Sequence, residues 1–145
     1  KKSDSLLSYR LILMGDQGEP ILDGEDPVLK LLTDKSNDVN SDIVFLGDNI
    51  YRYGMDTRTP ESQALAEKKI TKTLTAINGY EGNVFFIPGN HDWLSGYDNL
   101  VAQETFLNNY DKIKQLHFTP NAGCPGPVQI EVSDEVLLVI MDFAR

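Results

Sequence analysis

Apolar runs that stop at a glycine followed by Asp or Asn recur three times along the chain. Leu11-Ile12-Leu13-Met14 runs into Gly15-Asp16-Gln17-Gly18, Ile43-Val44-Phe45-Leu46 into Gly47-Asp48-Asn49, and Val84-Phe85-Phe86-Ile87 into Pro88-Gly89-Asn90-His91-Asp92. Short apolar runs bounded by turn residues predict buried strands, each delivering a polar loop. Between them the period changes. Asp26-Pro27 predicts a helix start, with a side-chain acceptor ahead of a proline whose missing N–H is harmless in the first turn. Val28, Leu31 and Leu32 would form its apolar face, and the polar stretch Asp34 to Asn40 its end. Thr59-Pro60-Glu61 predicts a second helix, with Ala66, Ile70, Leu74 and Ile77 at helical spacing and Asn78-Gly79 closing it. Asp98 would cap a third helix reaching about Lys114, through Val101, Leu107, Tyr110 and Ile113. After the turn-rich stretch Pro120 to Pro127, the alternating Val128 to Val132, the polar Ser133-Asp134-Glu135 and the apolar Val136 to Met141 predict a hairpin. The pattern is that of an α/β domain, without repeats or a linker.

Composition narrows the options. The chain has 145 residues, enough for one domain. Its 22 acidic and 13 basic residues give a formal net charge of −9, which argues against nucleic acid as the main partner and suits solubility or cation binding. The longest apolar run, Val136 to Met141, falls far short of the roughly 20 residues of a membrane span. A single cysteine, Cys124, excludes an intrachain disulfide scaffold. It sits between Gly123 and Pro125, with no basic neighbour to activate a thiol, and reads as a small residue in a tight loop.

In an open sheet of parallel strands the carboxyl ends share one edge, where ligands bind. That rule would bring Asp16, Asp48 and Asn90 together, with His91 alongside and Tyr51 three residues after Asp48. A strand followed by Gly-Asp is common as a simple turn, but three such endings at one edge are harder to explain that way. Carboxylates gathered in a partly buried site repel one another unless a cation lies between them. Oxygen-rich donors with some nitrogen suit ions such as Mn, Fe, Mg or Zn, and paired ions are usual where one carboxylate can bridge. His117, beside Phe118, reads instead as a packed surface histidine.

Gly15-Asp16-Gln17-Gly18, Gly47-Asp48-Asn49-Ile50-Tyr51 and Gly89-Asn90-His91-Asp92 resemble, in order, the motifs of the calcineurin-like metallophosphoesterases, and within them the purple acid phosphatase branch. The resemblance implies a β-sandwich flanked by helices, of which residues 1–145 would be the N-terminal portion of a single domain. It also implies two metal ions (Fe, Mn, Zn or Mg): Asp16 and Tyr51 on the first, Asp48 bridging both, Asn90 on the second, and His91 contacting the substrate phosphate. The implied activity is hydrolysis of phosphate esters by a metal-bound hydroxide. The run Gly123 to Pro127 looks like bacterial members, which suggests an exported or envelope-linked protein.

The family also uses later histidine motifs. The two histidines here, His91 and His117, lie in neither. On that count the second ion would have only Asp48 and Asn90, this chain would be inactive by itself, and an incomplete sheet would expose apolar surface and favour self-association. The rival expectations are a non-catalytic interaction scaffold derived from a phosphoesterase, and a nucleotide-binding or receiver-like domain. The latter lacks its phosphate loop here.

Overall fold

A computed structural model describes residues 9–36 and 40–143. Strands β1 (Arg10–Met14), β2 (Ser41–Phe45), β3 (Val84–Phe86) and β4 (Leu116–Phe118) form one parallel sheet in that order. Helices α1 (Pro27–Ser36), α2 (Pro60–Thr75), α3 (Asn90–Trp93) and α4 (Tyr97–Asn108) lie in the connections, and β5 (Val128–Ser133) pairs antiparallel with β6 (Val136–Ile140). Consecutive parallel strands joined by right-handed crossovers place every connecting helix on the same face. The core reflects this. Leu29 and Leu32 of α1, Ile70 and Leu74 of α2, and Leu100 and Leu107 of α4 pack in one cluster with Ile43, Phe45, Val84 and Phe86 of the sheet, where the Phe45 and Phe86 rings stack with centroids 4.2 Å apart.

The helix starts follow from local chemistry. The Asp26 carboxylate accepts from the amides of Val28 and Leu29 at 2.9 and 3.0 Å. Thr59 and Ser62 exchange side-chain and backbone hydrogen bonds in a capping box, a device that stabilises a helix by about 1 kcal/mol. Ala66, Ile70, Leu74 and Ile77 are all buried, as their spacing predicts.

Three expectations need correction. The buried stripe of α1 is Leu29 and Leu32, whereas Val28 and Leu31 are each 56 % exposed. The run Val-Leu-Lys-Leu-Leu offers two stripes, and packing against the sheet selects the second. The expected end of that helix falls partly on residues 37–39, outside the described residues. The third expected helix begins at Tyr97 rather than behind an Asp98 cap and ends at Asn108 rather than Lys114. The chain beyond it supplies β4, which the hydrophobic pattern did not predict.

Alternation puts Leu11, Leu13, Val44, Phe85 and His117 on the sheet's other face. The β5–β6 ribbon reaches both edges of the sheet. Its turn, Ser133 to Glu135, lines a cavity with Tyr9 and Asn83 at the amino edge. Its far end lies at the carboxyl edge, where Trp93 Nε1 donates to Asp142 at 2.7 Å. On this face Val44 and Phe85 are buried, while Leu13 remains 56 % exposed. His117 is exposed and stacked on Phe85, with centroids 5.1 Å apart. Cys124 is free and exposed. Among the described residues no helix is long and apolar enough to cross a membrane.

Candidate functional site

Both acidic loops leave the sheet through a residue in the left-handed region: Asp16 has φ 58° and Asp48 φ 52°. Few side chains tolerate that conformation, aspartate among them, and residues held there cluster at functional sites. It turns both carboxylates toward one point. The Tyr51 hydroxyl lies 2.6 Å from Asp16 Oδ1 and 2.9 Å from Asp48 Oδ2, so one phenol proton is shared between two carboxylates. The bond to Asp16, then burial and the bond to Asp48, raise the phenol's pKa well above its ordinary value. Among the described residues neither carboxylate has an ion-pair partner.

The third loop seats itself against the second. A Cβ on Gly89 would overlap the backbone nitrogen and carboxylate of Asp48, so only glycine allows the contact. The His91 amide donates to Asp48 Oδ1 at 3.0 Å. The His91 ring meets the Tyr51 ring edge-on, with centroids 4.5 Å apart, and its Nδ1 lies 2.8 Å from the Arg52 carbonyl. A carbonyl can only accept, so the proton sits on Nδ1 and Nε2 is the ring atom left to meet a ligand. Asn90 stands exposed at the head of α3. The structure thus gathers Asp16, Asp48 and Tyr51 within hydrogen-bond distance and lays His91 against them, while Asn90 lies at the same edge. A depression of about 460 Å³ beside them is lined by Glu19, Tyr51, Arg52 and His91.

Sequence reasoning passed over several groups here. Lys69 of α2, 7 % exposed, donates to the Tyr51 carbonyl and to Glu19 Oε2, both at 2.6 Å, tying the first two loops together. Asp92 is fully buried and accepts from the Gly89 amide at 2.8 Å. Burial raises its carboxyl to about 6, against the opposing pull of backbone amides. Its place three residues after a glycine, at the start of a helix, was the available signal.

The donor set of two carboxylates, a phenol and a carboxamide fits a hard cation taking the place of the shared proton. Among the described residues no cluster of three or more His, Cys, Asp or Glu side chains forms a fuller site. A parallel sheet with helices between its strands, carrying such oxygen donors at its carboxyl edge, defines a class in which metal-dependent hydrolases are at home. The chain belongs to the calcineurin-like phosphoesterase family, which it matches over residues 9–137. A stretch of 84 residues is also 29 % identical to peptidoglycan-recognition protein LA of Drosophila melanogaster, covering 58 % of this chain and 20 % of that protein. The aligned part is thus about a fifth of that relative's length. No solved structure matches.

Proposed function

We propose that this chain carries ligands of a binuclear metal site for the hydrolysis of phosphate esters, of the purple acid phosphatase type. Family membership supports the reaction class, and the phenol proton of Tyr51 shared between Asp16 and Asp48 is the observation that carries the site. Asp16 and Tyr51 would hold a first ion (Fe, Mn, Zn or Mg), Asp48 would bridge, and Asn90 would reach a second. When bound, such cations acidify a water and neutralise phosphate oxygens. The chain's own residues then orient and hold. Tyr51 must give up its proton to ligate, so uptake of metal releases a proton. His91, fixed through Nδ1, lines the depression where a phosphate oxygen would sit and keeps Nε2 available to it. Asp48 and Asn90 give the second ion only two ligands from these residues, so the first ion binds more tightly and hydrolysis by the chain alone is slow.

The test is elemental analysis after dialysis against metal-free buffer, with Asp48→Ala in parallel. About one retained ion, lost in the variant, supports the reading; equal metal content in both proteins overturns it.

A second reading, an interaction scaffold, draws on Leu13, Leu46, Leu137, Val139 and Met141, each between 45 % and 56 % exposed. Patches of this kind favour association. A mass by light scattering that stays monomeric across the micromolar range would count against it.

A further inference from the structure

Behind the carboxylates, away from solvent, polar side chains link one loop to the next. Gln17, Asn49 and Asp92 are 8 %, 1 % and 0 % exposed, and each belongs to a different one of the three strand-end loops. Gln17 Nε2 donates to Asn49 Oδ1 at 2.8 Å. Asn49 Nδ2 donates to the Ile87 carbonyl at 2.8 Å and to Asp92 Oδ2 at 3.1 Å. The Asn49 backbone amide lies 3.2 and 3.1 Å from the two oxygens of Asp92. Both hydrogens of the amide group, its oxygen and its backbone N–H are therefore engaged, and they reach all three loops and the end of β3.

We propose that Asn49 is the positioning residue of the site, setting the spacing of Asp16, Asp48 and His91 by locking their three loops together. This rests on the phosphoesterase reading for its functional meaning. The amide is chemically required. An apolar side chain would leave the Gln17 amide, the Ile87 carbonyl and part of Asp92 unpaired in a buried place. An aspartate would set a second carboxylate against Asp92 and offer no donor to Ile87. Asn49 follows directly on Asp48, so the lock holds that residue in its left-handed conformation while the His91 amide fixes one of its oxygens. A side chain serving only its own turn would bond within its own loop; this one bonds across loops.

The experiment is amide hydrogen exchange by NMR, with Mn²⁺ titration, on the chain and on Asn49→Ala and Gln17→Met. The second substitution keeps the side chain's approximate shape, removes only the Gln17–Asn49 bond between the first and second loops, and decides the matter if Asn49→Ala does not fold. In Gln17→Met the Tyr51 amide, which bonds the Gly18 carbonyl across those loops at 2.9 Å, should lose about tenfold in protection. In Asn49→Ala the His91 amide should do the same. Val44 and Phe85, inside the sheet, should be unchanged, and Mn²⁺ affinity should fall about tenfold or more. Wild-type protection in the loops, an equal loss in loops and strands, or full Mn²⁺ affinity in a variant whose loops have opened would each overturn the proposal. A wild-type chain that takes up no Mn²⁺ would instead count against the phosphoesterase reading, and the exchange data would still decide whether Asn49 locks the loops.

Discussion

The two edges of the parallel sheet each pair a tyrosine with an aspartate, and they differ in how the carboxylates are satisfied. At the amino edge lies the larger cavity, about 830 Å³, lined by Tyr9, Ser41, Asp42, Tyr80 and Asn83 among others. There Asp42 accepts from the Tyr9 hydroxyl at 2.8 Å and from the Asn83 amide at 2.7 Å, and Ser41 pairs with Tyr80 at 2.7 Å. Burial, then the bond to Asp42, hold the Tyr9 phenol above its ordinary pKa. At the carboxyl edge the depression is smaller, yet two carboxylates share one phenol proton and a single backbone amide. Volume therefore does not single out the edge at which we place the site. Among the described residues a shortage of donors does, and a cation would relieve it.

The two edges should differ most when the same substitution is made at each. Asp48→Asn should weaken Mn²⁺ binding, measured by calorimetry, by about 100-fold or more, since it removes charge shared by both proposed ions. Asp42→Asn should leave that affinity unchanged and lower stability by about 1–3 kcal/mol in urea unfolding, through a disturbed buried hydrogen-bond set. Equal effects on metal would erase the distinction between the edges. Gly89→Ala comes next. The added Cβ meets Asp48, and the overpacking should lower stability by about 1–3 kcal/mol while also weakening Mn²⁺ binding. Gly82→Ala forces a Cβ against Ser41 at the amino edge and should lower stability alone. A smaller effect is expected of Tyr9→Phe, about 1 kcal/mol in thermal unfolding.

The smallest effect concerns a carboxylate at neither edge. The Arg58 guanidinium, bonded to Asp56 at 2.8 Å, pulls that carboxyl down to about 2. A lowered folded-state pKa gives stability that is fully present above the unfolded value of about 3.9 and is lost as pH falls toward 2. Asp56→Asn should flatten the acid limb of a pH–stability curve between about pH 4 and 2 and leave metal binding alone.

Much of the sheet was legible because its strands are apolar runs with abrupt polar ends, and the hairpin because its period is two. The strand Leu116–Phe118 was not, since three residues with a histidine in the middle carry no period. The buried face of α1 was ambiguous for the opposite reason, having more apolar positions than it can bury. At the site, the meeting of Asp16 and Asp48 followed from parallel strands sharing an edge. Gln17, Asn49, Lys69 and Asp92 could not be found that way. Their partners lie across loops, and nothing in local spacing says which buried amide or ammonium faces which oxygen.

Trp93 is the chain's single tryptophan. Two residues from His91, with its indole nitrogen bonded to Asp142 just past the ribbon, it joins the third loop to the ribbon's end. Its fluorescence consequently belongs to both structures at once. A shift in emission colour on adding an ion would tell of motion in the loop, and the same dye-free signal would follow the ribbon's end parting from that loop, so the molecule carries its own optical gauge where the two meet.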